Sequence, residues 1–524
     1  MDAQKPAKRV AIIGAGISGL VSLKECLAEG CKADVFETRS EIGGQWAYEA
    51  APNAKGELQS SMYDGVVMNS CRDTTAFSDF PIDPATHGDY LGHRQMHQYI
   101  LAYADHFGLK EHVKLRTRVL SCTQADNGKW AVRYQDAEST NSCDVWEEAT
   151  YDALIAATGV NTIPNLPAFT SRESFKGEFL HSHFYRRPGV FEGKRVVLIG
   201  IGSAAVDLAC ELAAASREIH VVTRRGGWVL PRYVLGKPVE AWDNRATQVW
   251  VPARAAEYIQ TCLLDLVLGK HPKELQPDHR LLQQNPTIRT EFVERVRTGA
   301  LKIHRAEVAC FTETGLKLSD GTAVDADVVI ACTGYLHAHP YLPADVLRNA
   351  ETPYFGIYVY KLIVPARYEN IYFVGMIEAP GPALPPMEAQ ARFAVGIITG
   401  RVTPPAGEAL MREIRNWQEL HAKQFIRSER HVATETYVPY IDSLLELLGA
   451  KPTFGRLLGR VFSSGSPLRA LSTLSAVYFG LTSSAQWRLF GHGRKEELAR
   501  ETVLRIAGEK GEMTKREREL LTLQ

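Results

Sequence analysis

The stretch RVAIIGAGISG at residues 9–19 determines the predicted fold. Its β-branched first half predicts a buried parallel strand, and the residues that follow, to about Glu29, predict a helix. The turn between them fits the pattern G-x-G-x-x-G, whose glycines permit a tight turn, a close backbone approach to a pyrophosphate and close packing of helix on strand. Glu37 ends the next strand, where a carboxylate can accept hydrogen bonds from ribose hydroxyls. The sequence therefore predicts a Rossmann-like dinucleotide site formed by Glu37 and by Gly14, Ala15, Gly16, Ile17, Ser18 and Gly19.

The pattern returns at residues 195–205 as RVVLIGIGSAA, again followed by a predicted helix and a predicted strand. Alanine replaces the third glycine, which still permits fairly close packing. The strand ends at Thr223, and the guanidinium groups of Arg224 and Arg225 directly after it suit the 2′-phosphate of NADPH, which a carboxylate would repel. We therefore predict a second site, for NADPH, formed by Arg224, Arg225, Gly200, Gly202, Ser203, Ala204, Ala205 and Asp207.

Two dinucleotide sites on one chain indicate hydride transfer from NADPH to a tightly bound flavin, FAD, at the first site. A disulfide reductase would share both sites, but it needs a pair of redox cysteines beside the flavin. The one close pair in the sequence, Cys26 and Cys31, lies in or just after the first helix, so packing is the better interpretation for both.

The composition restricts the partners. The 60 lysines and arginines balance 60 aspartates and glutamates, so the chain has no net charge with which to attract nucleic acid. The nine cysteines form no CxxC pair, and we predict no metal site. No apolar run reaches the roughly 18–20 residues of a membrane span. We expect a cytoplasmic or cytosol-facing protein that acts on a small molecule.

The order of the segments predicts an α/β fold with two Rossmann-like domains, a helical insertion and a helical C-terminal addition. Aromatic and aliphatic residues at helical spacing mark the insertion at about 228–284. Two strand-like runs, 151–159 and 326–334, both end in Thr-Gly and predict crossovers between domains. The polar tail 508–524 is predicted to be mobile. The predicted parts are an FAD domain in two pieces, 1–168 and 326–440, an NADP domain at 169–325, and a helical region at 441–524.

The segment between the two nucleotide units contains Phe175, Gly177, His181 and Tyr185 in the spacing F-x-G-x-x-x-H-x-x-x-Y. With this fingerprint the sequence resembles the flavin-containing monooxygenases, class B flavoproteins, over nearly its whole length, and in particular their animal, microsomal-type members. By analogy with that family, we expect an aromatic anchor, a flexible glycine and a polar histidine to couple NADP binding to flavin access.

Further segments are similar to this family in order and spacing, namely 42–46 (IGGQW), 68–81 (MNSCRDTTAFSDFP), 223–228 (TRRGGW), 333–335 (TGY) and 386–392 (PMEAQAR). The resemblance implies that Gln45, Trp46, Asn69 and Ser70 line the flavin, with Asn69 as the catalytic residue at its reactive edge. An amide there could donate a hydrogen bond to a peroxide oxygen without supplying the proton that expels it. The implied reaction is reduction of FAD by NADPH, formation of a C4a-hydroperoxyflavin with O2, and attack of a nucleophilic nitrogen or sulfur on its distal oxygen.

Three alternatives stay open at this point. Baeyer–Villiger oxidation of ketones is the nearest, although the fingerprint of those relatives ends in tryptophan where this chain has Tyr185. An NADPH oxidase that produces hydrogen peroxide and a non-enzymatic NADPH-sensing protein are the others.

Two segments relate this chain to the subgroups of that family. The insertion is similar to that of the animal members, in which it shapes the substrate route. The chain ends in MTKRERELLTLQ rather than in the apolar anchor of microsomal members, so we expect at most peripheral contact with the endoplasmic reticulum membrane. A homodimer is compatible with the sequence.

Overall fold

Two five-stranded parallel sheets form the frame of the protein. The computed structural model describes residues 6–139, 146–348, 357–426, 428, 431–508 and 512–523. The first sheet contains β1 (Arg9–Ile13), β2 (Lys32–Phe36), β3 (Val113–Lys114), β7 (Ala153–Ala156) and β24 (Ile371–Phe373). Its spatial order is β24-β7-β1-β2-β3.

The second sheet contains β9 (Glu178–His181), β10 (Arg195–Ile199), β11 (Glu218–Val222), β16 (Lys302–His304) and β20 (Val328–Ala331). Its spatial order is β16-β11-β10-β20-β9. Three of its five strands, β10, β11 and β20, are buried along nearly their whole length and are mostly apolar, as expected for the centre of a parallel sheet covered on both faces. The predicted α/β fold with two nucleotide-binding units is confirmed.

Both sheets repeat one topology. In each, the strand before the glycine loop is central, the next two strands lie on one side of it, and a returning strand lies on the other. A three-stranded antiparallel meander precedes each returning strand. The first meander contains β4 (Thr117–Gln124), β5 (Trp130–Asp136) and β6 (Glu147–Tyr151), and the second contains β17 (Val308–Thr312), β18 (Gly315–Leu318) and β19 (Ala323–Asp325).

The crossovers between the two units lie later in the chain than predicted. Strand β20 pairs with β10 and β9, so the predicted boundary between 325 and 326 is wrong, because it excludes a strand of the second sheet. Likewise β7 and β20 are sheet strands, and the crossovers follow them as β8 (Ile163–Pro164) and β21 (Tyr335–Leu336). These two strands pair antiparallel, so both connections run side by side.

The insertion is only partly helical. It contains α5 (Arg245–Trp250) and α6 (Ala253–Leu268), as predicted, but also the hairpin of β13 (Tyr233–Val234) and β14 (Lys237–Pro238). Strand β12 (Val229–Leu230) pairs with β15 (Thr287–Ile288) and closes the base of the insertion. Strands of two residues have no readable periodicity, so the sequence did not predict them.

The remaining elements are mostly helices. The C-terminal region is helical, as predicted, and its tail is held in place, because the buried Glu517 accepts a hydrogen bond from Arg505 Nε at 3.0 Å. The mobility predicted from the polarity of the tail is therefore wrong for the helix that contains Glu517. The elements are α1 (Ile17–Ala28), α2 (Arg72–Thr75), α3 (His93–His106), α4 (Ser203–Leu212), α7 (Phe292–Arg297), β22 (Val359–Tyr360), β23 (Val364–Pro365), α8 (Leu384–Ile398), α9 (Gly407–Gln424), α10 (Tyr437–Leu445), α11 (Phe454–Ser463), α12 (Pro467–Phe479), α13 (Glu496–Ala507) and α14 (Lys515–Thr522).

A buried ionic cluster joins the first unit to the C-terminal region. Arg488 lies 2.7 Å from Glu25, 2.6 Å from Glu388 and 3.2 Å from Asp79, and Lys24 pairs with Glu25 and Asp79. Burial raises the pKa of Glu25, but the charges of Lys24 and Arg488 more than offset this effect and hold that pKa far below its ordinary value. Glu25 is therefore ionised, and its charge depends on these two cations.

We expect Arg488→Met to destabilise the protein by about 3–5 kcal/mol, because it leaves three buried carboxylates facing one lysine. The melting temperature of the purified protein measures this. Arg133→Met, which removes the exposed ion pair with Glu148, is the matched control and should change the melting temperature little. Equal losses in the two variants would contradict a special role for the cluster.

Candidate active site

The first glycine loop connects β1 to α1 with the geometry of a pyrophosphate cradle. Gly14 has a φ of 103°, which side chains rarely adopt, and a Cβ there would lie 2.8 Å from the carbonyl oxygen that follows β7. Gly16 precedes Ile17 and Ser18 at the start of α1, so free backbone N–H groups open at the loop. A Cβ on Gly19 would lie 1.8 Å from the Gly14 oxygen, so only glycine allows this packing of helix on strand.

Glu37 lies directly after β2 and faces this loop. Its Oε2 accepts a hydrogen bond from the Ala15 backbone N–H at 2.8 Å, and its Oε1 accepts one from Arg39 N–H at 2.9 Å. Burial raises the pKa of Glu37. A carboxylate has about four acceptor positions, so Glu37 can also accept from a ribose hydroxyl.

The segment after β2 packs against the same loop. A Cβ on Gly44 would lie 2.8 Å from the loop backbone. The amide of Gln45 is used within the protein, because its Nε2 donates to the Asn161 carbonyl at 2.9 Å and its Oε1 accepts from Ser61 N–H at 2.8 Å. Gln45 thus joins the segment after β2 to Ser61 and Asn161. Trp46, next to it, is partly buried against the hydrophobic core.

The second glycine loop repeats this geometry between β10 and α4. Gly200 has a φ of 123°, and a Cβ there would lie 2.5 Å from the Cys332 carbonyl oxygen. Gly202 precedes α4, which starts with Ser203 and Ala204. Ala205, in the place of the third glycine, is fully buried, so its methyl group is accommodated by the packing of helix on strand.

Asp207, which we predict to belong to the NADPH site, also links protein groups. Its buried carboxylate accepts a hydrogen bond from Tyr63 at 2.8 Å and lies 3.4 Å from Arg289, so its partners are protein groups. Nearby, the Tyr185 hydroxyl donates to Glu211 at 2.9 Å. Because Tyr63 belongs to the first nucleotide unit and α4 to the second, Asp207 joins the two units.

The linker fingerprint fixes the crossover region. Phe175 is buried, and a Cβ on Gly177 would lie 2.5 Å from the carbonyl oxygen before β20, so close packing requires a glycine at this position. His181 Nδ1 accepts from His183 N–H at 3.1 Å, and its Nε2 therefore donates to the Gly334 carbonyl at 3.0 Å. Burial lowers the pKa of His181 to about 4, so the ring is neutral.

Arg224 and Arg225 lie at the C-terminal end of β11, where the parallel sheet presents its ligand-binding edge. Both are exposed. The Arg224 guanidinium is 3.8 Å from Glu307, a distance that leaves it available for a stronger anionic partner.

A cavity of about 300 Å³ joins the two units and the insertion. Asn69 and Ser70 line it from the first unit, and Ser203, at the N-terminus of α4, lines it from the second. Asn69 Oδ1 is buried and accepts no hydrogen bond from any residue that the structure describes. We call this space the Asn69 cavity. Its insertion wall is largely apolar and includes Leu230, Val234, Leu263, Leu264, Leu281 and Ile288.

Several residues of this site carry no sequence motif. Glu240 and Asp243 in the insertion, and Asn285 just after it, line the Asn69 cavity, and Tyr63 binds Asp207 at the junction of the units. Gly381, which also lines the cavity, does have a sequence signal, since the run Pro-Gly-Pro at 380–382 predicts a turn or loop.

A family model described as flavin-binding monooxygenase-like matches residues 7–516. The chain belongs to the flavin-containing monooxygenase family. It is 32% identical over 515 residues to flavin-containing monooxygenase 5 of Oryctolagus cuniculus, across 95% of this chain and 92% of that protein. It is 30% identical over 506 residues to dimethylaniline monooxygenase (N-oxide-forming) 2 of the same species, across 94% and 90%. The solved structure of S-allyl-L-cysteine S-oxygenase from Allium sativum has the same fold, with a TM-score of 0.62 and 22% identity over 88% of this chain and 93% of that one.

This flavin-containing monooxygenase uses FAD and NADPH. Its residues fit both groups: the glycine cradles leave space that a Cβ would fill, Glu37 retains acceptor positions, and Asn69 presents an unpartnered amide oxygen. When bound, FAD supplies the redox chemistry and NADPH supplies the hydride. In the part of the chain that the structure describes, no helix is long and apolar enough to cross a membrane.

Arg224→Ala should raise the KM for NADPH by about 10- to 100-fold, because a charge-assisted hydrogen bond to the 2′-phosphate is lost. The KM for NADH, which lacks this phosphate, should change little. Steady-state NAD(P)H oxidation measures both values, and Arg225→Ala shows how the two arginines share the contact. An equal increase for both cofactors would exclude a role in reading the phosphate.

Proposed function

We propose that this monooxygenase transfers one oxygen atom from O2 to soft nucleophiles, namely the nitrogen of amines and the sulfur of thioethers. One observation carries the proposal: Asn69 of the FAD unit and Ser203 of the NADPH unit line the same cavity. A flavin and a nicotinamide must meet for hydride transfer, and the substrate must reach the same place. In the balanced reaction, the substrate, O2, NADPH and a proton give the oxide, NADP⁺ and water.

The residues of the cavity have two tasks in this reaction. The apolar insertion wall excludes water, which keeps the transferred oxygen from being lost as hydrogen peroxide. The Asn69 amide offers a hydrogen-bond donor and an acceptor but no acidic proton. It can therefore hold an oxygen atom in place without protonating it.

The relatives support the choice of nucleophile. One is named for N-oxide formation, and a protein of the same fold is an S-oxygenase. The fingerprint ends in Tyr185, where the Baeyer–Villiger relatives have tryptophan, but some members of the family with this fingerprint also oxidise ketones, so the ketone stays in the test below. We carry these activities to this chain as a proposal.

A turnover experiment tests the proposed function. The FAD-loaded protein is given NADPH and, in turn, a thioether, a tertiary amine and a ketone, and products and hydrogen peroxide are quantified. The proposal predicts sulfoxide and N-oxide in amounts close to the NADPH consumed. An ester from the ketone as the main product would make the protein a Baeyer–Villiger enzyme, and stoichiometric peroxide would make it an NADPH oxidase. A flavin that NADPH does not reduce would favour a sensing role.

We also propose peripheral contact with a membrane surface. Large apolar side chains are exposed on α6 and on α11–α12, including Leu266, Phe462 and Leu468 at 81–83% exposure. Trp250 of α5, the helix directly before α6, stacks on Tyr478 of α12 at 4.8 Å, so α5 and α12 are neighbours.

The double variant Phe462→Ser with Leu468→Ser should reduce sedimentation of the protein with phospholipid vesicles. Unchanged sedimentation would exclude this surface.

Asn69→Leu removes the amide at similar volume and should separate the two halves of the reaction. Flavin binding and anaerobic reduction by NADPH should persist, because neither requires this side chain. In air, product should fall and hydrogen peroxide should rise to match the NADPH consumed. A variant that still oxygenates a thioether at the wild-type rate would show that Asn69 is merely structural.

A further inference from the structure

The insertion contributes two partly buried carboxyl groups to the Asn69 cavity. Glu240 accepts hydrogen bonds from Cys71 N–H at 2.8 Å and from the Tyr90 hydroxyl at 3.2 Å. Asp243 accepts hydrogen bonds from two amide groups, Gln248 at 3.0 Å and Gln260 at 3.2 Å. Within the described ranges of the chain, no lysine, arginine or histidine nitrogen forms an ion pair with either carboxyl group.

Asp243 differs from the carboxylates of the ionic cluster around Arg488. The Glu25 cluster is held by Lys24 and Arg488, whereas the partners of Asp243 are neutral amides. Burial raises the pKa of Asp243 to about 6, and the hydrogen bonds from the two glutamine side chains oppose this effect. The group is therefore still mostly a carboxylate at neutral pH, and no cation among the described residues forms an ion pair with it.

A second observation points to the same occupant. Asn285 lines the cavity with its Oδ1 buried, and no residue in the described part of the chain donates a hydrogen bond to that atom. An unpaired acceptor and an uncompensated carboxylate in an apolar cavity cost free energy unless a ligand supplies donors or positive charge. An ammonium group supplies both, with up to three N–H donors.

We propose that Asp243 determines substrate specificity by binding an ammonium group of the substrate, with Asn285 as a second acceptor. This inference rests on the proposed function and adds the substrate class: small molecules that carry a nucleophilic sulfur or nitrogen and, separately, a cationic amine. The two groups must be distinct, because a protonated nitrogen has no lone pair with which to accept oxygen. Asp243 orients the substrate and takes no part in oxygen transfer.

Two probes of nearly equal size test this role: 2-(methylthio)ethylamine, which is cationic at neutral pH, and 2-(methylthio)ethanol, which is neutral. Asp243→Asn should lower kcat/KM for the amine by about 10- to 100-fold, the value of a charge-assisted hydrogen bond, and leave that for the alcohol unchanged. Asp243→Glu keeps the charge and should retain part of the preference for the amine. Asp265→Asn, on α6 but outside the cavity lining, removes the same charge and should alter neither value.

Calorimetric binding of both probes to the oxidised holoenzyme provides a readout that does not depend on turnover. If the amine binds more strongly than the alcohol and Asp243→Asn abolishes this difference, the proposal is supported. This holds even if the protein only produces peroxide and the proposed oxygenation fails. Oxygenation of both probes with equal sensitivity to Asp243→Asn, or equal binding of both by the wild type, overturns the proposal while leaving the oxygenase function intact.

Discussion

The hydrogen bond between Tyr63 and Asp207 fixes the relation on which the site depends. It joins a loop of the FAD unit to α4 of the NADPH unit, and burial makes it costly to break, because the two buried groups cannot replace this bond with one to water. The paired crossovers β8 and β21, with the His181–Gly334 bond beside them, constrain the same junction. Asn69 and Ser203 can line one cavity only because these contacts set the two units against each other.

Buried charge is treated in two ways in this protein. Around Arg488, three carboxylates meet two cations, and the cluster joins α1, α8 and the C-terminal region. At Asp243, a carboxylate faces a cavity with only amide donors. The first arrangement stabilises the fold, and the second suits a site whose missing partner is brought by a ligand.

Local sequence was enough to predict the two nucleotide units, because their chemistry depends on a short turn and the end of the next strand. The glycine loops and Glu37 have the predicted geometry, and the arginines lie at the predicted strand end. Asp207 lies one helical turn into α4, and its contact with Tyr63 of the other unit cannot be predicted from local sequence. The cavity could not be predicted, since Asn69, Ser203, Asp243 and Asn285 are brought together only by packing. The boundary at 325 failed for a similar reason, because strand pairing and not composition places β20 in the second sheet.

The central claim is that flavin and nicotinamide meet at the Asn69 cavity. A structure of the protein with FAD and NADP⁺ bound tests it most directly. The account predicts the pyrophosphate groups at the Gly14–Gly19 and Gly200–Ala205 loops and both reactive rings beside Asn69. Rings that lie elsewhere, with the cavity between Asn69 and Ser203 still empty while both cofactors are bound, would contradict the account.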